Sequence, residues 1–258
     1  MIKFRVAALS LSLLCPALSL WADEAPAPPP PTGVWIGKGQ FGFLSSRGNS
    51  VAESINGNVD MLRYDGAWKN ELYVGGLYGR SGGIVSAQRG EARAQSDYTV
   101  SGNLFAFGGF RYERDLFDGF QYQASATTGM GYKFIDTNDT KLSAQVGVGY
   151  RRLRPEDIIK DPDGNVTARL LHDATGEVIG TAGVDFSHAF NKSTVLSNKF
   201  LMETGSSNTL LHDELALTVK MSQKLALSAG YGITDNTDPP PSLKKLDTLT
   251  TINLVFAF

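Results

Sequence analysis

The last thirteen residues, Leu246 to Phe258 (LDTLTTINLVFAF), constrain the fold more than any other stretch of the chain. Thr248, Thr250, Ile252, Leu254, Phe256 and Phe258 fall on one face, and Leu249, Thr251, Asn253, Val255 and Ala257 fall on the other. A period of two is that of a β-strand, because successive side chains point to opposite sides of the backbone. The first face carries the apolar and aromatic weight, and the sequence ends on it. A terminal strand of this kind is what a bacterial outer-membrane β-barrel needs for recognition by its insertion machinery and for closing against its first strand. The expected partners are therefore outer-membrane lipid and that machinery, the latter met through the strand ending in Phe258.

The other end of the chain agrees with this address. Lys3 and Arg5 precede an apolar core over 6–20 that is too short for a spanning helix, and Trp21-Ala22 closes it on a small residue, so residues 1–22 read as a cleaved secretory signal. Cys15 lies inside that segment, and Leu14 before it is too large for a lipoprotein site. The mature protein is then expected to lack cysteine, disulfide and lipid anchor. Loss of Lys3 and Arg5 takes 24 basic residues to 22 against 26 acidic ones, a formal charge of -4. Such mild acidity argues against nucleic acid as a partner. Residues 23–33, with a run of prolines that can neither donate to a sheet nor continue a helix, read as a short periplasmic tail.

From residue 34 to 258 the chain is expected to be one all-β domain, an antiparallel transmembrane barrel. Hydrophobic residues make up 42% of the sequence, yet no apolar run approaches the ~20 residues of a membrane helix. They are distributed by alternation. In 121–134, Tyr122, Ala124, Ala126, Met130, Tyr132 and Phe134 oppose Gln121, Gln123, Ser125, Thr127 and Lys133, and 141–151 and 224–233 repeat the pattern. The apolar faces lack charge and carry aromatics near strand ends (Trp68, Tyr78, Tyr122, Phe134, Tyr150), which favours a membrane barrel with interfacial girdles over a soluble sandwich. Turn signals divide the chain into about twelve strands, near 34–46, 50–64, 67–80, 92–101, 104–115, 120–134, 141–154, 177–189, 194–204, 209–220, 224–234 and 246–258. Ten or fourteen strands stay open. Every second connection is tight, and longer ones over 81–91, 155–176 and 235–246 lie on the other side, the layout of periplasmic turns and outward loops.

Several short motifs also carry a family resemblance: Trp35-x-Gly37, Ser46-x-Gly48-Asn49, the run Arg111-Tyr112-Glu113-Arg114-Asp115-x-Phe117, Gly129-x-Gly131-Tyr132, and Pro239-Pro240 followed by Asp247. In this order they resemble the bacterial salt-induced outer membrane protein family, a domain of unknown function, over residues 34–258. The resemblance implies a Gram-negative outer-membrane barrel with no assigned activity or functional residues. The long loop over 155–176 departs from it.

Function is therefore sought on the inward face. The polar phases place Lys69, Glu71, Arg93, Asp97, Arg111, Glu113, Asp115, Lys133, Arg151, Asp185, Lys199, Glu203, Glu214 and Lys220 in the lumen. Among these, Arg111, Glu113, Asp115, Lys133, Arg151 and Asp185 are the lumen residues singled out, as candidates for ion-pair networks or a selective polar path. The paired glycines 129/131, 147/149 and 230/232 are read as room for curvature and close interior packing. No catalytic, cofactor or metal residues are expected. His172, His188 and His212 lie in no hydrolase or HExxH motif, and His212 and Asp213, neighbours on a strand, face opposite ways. Asp161, Asp163 and Asn165 imitate a calcium loop, but Val166 replaces its glycine and His172 its glutamate, so the segment reads as a turn extended by a hairpin of 158–159 with 166–171. The expected function is passage of small polar solutes or ions, or an envelope role under osmotic stress. The alternative is a lipid-modifying enzyme.

Overall fold

Thirteen strands form among the described residues, β1 (Trp35–Ser46), β2 (Ala52–Asp65), β3 (Trp68–Ser81), β4 (Ile84–Ser101), β5 (Leu104–Asp115), β6 (Phe120–Asp136), β7 (Thr140–Lys160), β8 (Val166–Leu171), β9 (Thr175–Ala189), β10 (Thr194–Thr204), β11 (Thr209–Lys220), β12 (Leu225–Asn236) and β13 (Leu246–Ala257). This computed structural model describes residues 32–46, 52–117, 119–162, 165–239 and 244–258. The leader over 1–22, nearly all of the tail over 23–33, the turn at 47–49, and Asp163 of the calcium-like loop lie outside them.

Each strand pairs antiparallel with its neighbour in sequence, β7 pairs with β9, and β1 pairs with β13, so twelve strands close into a barrel. Closure removes the free edges that a membrane cannot hydrate. The thirteenth strand, β8, pairs only with the outer end of β7, and the two make the hairpin expected over 158–171. Asn165 N donates to Asp161 Oδ1 at 2.8 Å, which is turn geometry. The closing seam pairs Lys38 to Phe41 with Leu254 to Ala257, and Gly37 and Phe258 exchange backbone bonds of 2.9 Å. The aromatic terminus thus completes the ladder. Thr32 bridges to Tyr64, which ties the start of the described chain to the inner end of β2.

One expected loop is absent. Residues 81–91 do not form a long outer connection. Gly82 and Gly83, with φ of 60° and 84°, turn the chain at once, and β4 begins at Ile84. Positive φ is accessible to glycine without steric cost, which permits so short a link.

The alternation sorts the side chains as barrel geometry requires. Phe43, Val74, Val146, Val148, Val178 and Ile252 point outward, with Val146 at 65% and Ile252 at 67% exposure. An outward surface of this apolar character matches hydrocarbon as solvent. Aromatics rim it in pairs: Trp68 with Tyr98 (centroids 4.9 Å apart) and Tyr132 with Phe134 (5.2 Å) at the inner end, Tyr112 with Tyr122 (6.1 Å) at the outer end. Among the described residues no helix is long and apolar enough to cross a membrane.

Two inward phenylalanines explain part of the glycine pattern. Phe105 and Phe107 are buried on β5, and their rings lie where side chains would stand on β6 and β7. A Cβ at Gly131 would overlap the Phe105 ring, and those at Gly129 and Gly147 would stand 2.8 Å and 2.9 Å from the Phe107 ring. Gly131→Val should therefore push Phe105 into the lumen at a cost of about 1–3 kcal/mol, read as a lower urea midpoint of the folded barrel.

Candidate functional site

The lumen is built from strands whose inward phase is charged. On β4 the odd positions Arg89, Glu91, Arg93, Gln95 and Asp97 all face inward while Gly90, Ala92, Ala94 and Ser96 face out. Signs nearly alternate along this ladder, so each cation has an anion a strand step away.

Arg111 on β5 is the centre of an outer layer. Its Nε donates to Glu91 Oε1 at 2.8 Å, its Nη2 to Glu113, and its Nη1 lies 3.6 Å from Glu203 Oε2 on β10. Arg89 Nε adds a 2.7 Å contact to Glu113 Oε1. Glu203 in turn accepts from Ser125 Oγ at 2.8 Å and Gln123 Nε2 at 3.4 Å. A planar guanidinium with five donors in a fixed fork suits such a junction. The fourth contact fixes a tautomer. Arg111 Nη2 lies 3.0 Å from His212 Nε2 and has only protons to offer, so Nε2 accepts and Nδ1–H donates to Thr234 Oγ1 at 3.1 Å.

An inner layer crosses the lumen separately. Lys199 Nζ on β10 donates to Glu71 Oε1 on β3 at 2.8 Å, and these strands are diametrically opposed in the ring of twelve. Lys69 lies 3.7 Å from Glu71 and 3.4 Å from Asp97, and Gln95 reaches Gln145 on β7 at 3.2 Å. Arg93 stacks over Tyr73 with its guanidinium carbon 4.0 Å from the ring centroid.

These bridges narrow the lumen but leave a cavity. It encloses about 890 Å3, and its lining runs from Phe117, Lys244 and Asp247 at the outer end to Lys69, Asp97 and Ser143 near the inner end.

The six lumen residues singled out from the sequence do not form one network. Arg111 and Glu113 are buried at the outer layer's centre. Asp115 lines the outer mouth, where its Oδ1 accepts from Phe117 N at 2.9 Å. Asp185 lines the cavity opposite Lys199 in register. Arg151 does not join Arg111. It turns to Glu177 Oε1 at 2.5 Å and to Asn208, and so fastens β7 to β9 and to the β10–β11 turn. Lys133 does not join Arg111 either: it stands near the inner end of β6, with its Nζ 3.9 Å from Asp136 Oδ2.

Arg89, Glu91 and the bridging role of His212 were not foreseen. The signal for the first two was present in the unbroken alternation from Arg89 to Asp97, which the reading of 81–91 as a loop cut short. The remaining histidines have local partners: His188 Nδ1 lies 2.8 Å from Thr140 Oγ1, and His172 Nε2 lies 2.9 Å from Asp157 Oδ2 on the exposed hairpin. Among the described residues no three His, Cys, Asp or Glu side chains are grouped to hold a metal ion.

A closed antiparallel wall, apolar outside and charged within, defines a porin-like membrane β-barrel. The family model described as "Protein of unknown function, DUF481" matches residues 39–258, and the chain belongs to that family. It is similar to the uncharacterized protein YdiY of Escherichia coli (strain K12), 22% identical over 219 residues that cover 84% of this chain and 80% of the relative. Among solved structures it is similar to the NanC porin (9% identity, TM-score 0.49, covering 86% of this chain and 98% of that one). Another is the COG4313 outer membrane channel from Pseudomonas putida F1 (10%, 0.49, 93% and 100%), and a third is the translocator domain of the autotransporter NalP from Neisseria meningitidis (14%, 0.46, 87% and 87%).

Proposed function

We propose that this protein is a bacterial outer-membrane channel that passes small polar solutes or ions, with a lumen narrowed by its own ion pairs. The observation that carries the reading is a cavity of about 890 Å3 whose lining carries charged side chains from the outer loops to near the inner rim. Barrels of about eight strands are filled by side chains and those of sixteen or more are open, so a twelve-stranded wall with two bridged layers falls between. Contact with outer-membrane lipid, and insertion by way of the strand ending in Phe258, belong to the same proposal. The cross-lumen bridges favour a second reading, a largely filled barrel that contributes structurally to the envelope under osmotic or salt stress.

Single-channel recording separates the two. The folded mature protein in a planar bilayer should give discrete, reproducible steps if the path conducts. A barrel shown to be inserted yet electrically silent would overturn the channel and leave the structural role.

A further inference from the structure

We infer that the lumen selects small cations over anions, an assignment that rests on the channel reading and names the class of solute it passes. Charge that remains after pairing sets the preference. Eight carboxylates whose strand phase points inward line the cavity against six cations, with His212 held neutral by its contacts. Asp213 is left out of this balance because its carboxylate turns outward and accepts from Asn198 Nδ2 at 2.8 Å.

The pairing is one-sided. Each strand-borne cation of the lining has a carboxylate at 3.7 Å or less: Lys69 and Lys199 on Glu71, Arg93 on Glu91, and Arg89 and Arg111 on Glu113. The converse does not hold. Asp115, Asp185, Glu214 and Asp247 line the same cavity with no ion-pair partner within 4.0 Å among the described residues. Lys244, in the outermost loop segment, is the remaining cation of the lining.

Position along the axis turns this excess into a path. Asp115 ends β5 and Asp247 is the second residue of β13, so both stand at the outer mouth. Glu214 lies near the middle of β11, and Asp185 lies in the inner part of β9, four residues before its end at Ala189. A solute that enters from outside meets carboxylates without a direct ion pair at the mouth, mid-height and the inner third. In a narrow lumen with low-dielectric walls such charges focus the field, raise the local concentration of counter-ions and repel co-ions. Passage also needs weak, repeated sites rather than one tight site, and separated carboxylates supply them.

The test is the zero-current potential of the full mature chain in a planar bilayer under a tenfold potassium chloride gradient. The expected sign is that of potassium preference, with a permeability ratio over chloride of about threefold or more. Glu214→Gln combined with Asp185→Asn should bring the ratio close to unity while the barrel still migrates as a folded species. Asp115→Asn with Asp247→Asn, at the solvated mouth, should matter most at low salt, where screening is weakest. Conducting steps with no preference, or with chloride preferred, would overturn cation selectivity and leave the channel standing. An inserted barrel without steps would overturn both.

Discussion

Arg111→Ala is expected to lower the unfolding free energy of the folded barrel by about 3–5 kcal/mol, since it leaves buried carboxylates without their shared cation. Arg111 is 6% exposed, and Glu113 and Glu203 are 2% exposed. Arg111→Lys should recover part of the loss, because the charge returns but the fork that meets Glu91, Glu113 and His212 together does not. Urea unfolding in lipid vesicles, followed by tryptophan fluorescence and electrophoretic mobility, measures both. The same substitution removes the hub between β4, β5, β10 and β11, so conductance should rise and cation preference should strengthen. Unchanged stability would show that the hub is solvated and is not a structural element.

The second large effect concerns the face of the wall. Val146→Arg should impair insertion by about 2–4 kcal/mol, the cost of a guanidinium facing lipid near the bilayer midplane. Val146 is outward and 65% exposed, midway along the part of β7 that pairs with β6. On the sequence alone its inward neighbour Gly147 is the natural control, with Gly147→Arg expected only to alter the lumen. The structure changes that choice. A Cβ at Gly147 would run into the Thr128 carbonyl and stand 2.9 Å from the Phe107 ring, so that variant should destabilise for steric reasons. Gly232 is the better control: it lines the cavity, and the nearest atom to a Cβ there is 3.8 Å away. Gly232→Arg should therefore insert nearly as well as the parent while it reduces conductance. Equal tolerance of Val146→Arg and Gly232→Arg would mean that the faces are exchanged, as a one-residue slip in register would do.

Much of this architecture was legible without coordinates because its cause is local. Alternation in 121–134, 141–151 and 246–258 assigns each side chain to lipid or lumen from the backbone pleat alone, and tight turns such as Asp65-Gly66 and Gly102-Asn103 mark where the chain reverses. The twelve strands of the wall follow from these two signals. Where one of them was weak, the reading failed. Ile84 to Gln88 lack clear alternation and follow a Gly-Gly pair, so the outer end of β4 reads as loop in the sequence and does not reveal the inward phase of Arg89 and Glu91.

What the sequence by itself determined is the class of barrel, the face on which each residue lies, and the mixed charge of the interior. Which charges meet was decided only by the tertiary structure. Arg111 and His212 are 101 residues apart, and Lys199 and Glu71 are 128 apart. Their approach depends on the register accumulated around the whole closed ring, to which every strand pair contributes and which no local pattern encodes. The same closure separates Lys133 and Arg151 from Arg111 and leaves Asp115, Asp185, Glu214 and Asp247 without a direct ion pair in the lining of the cavity.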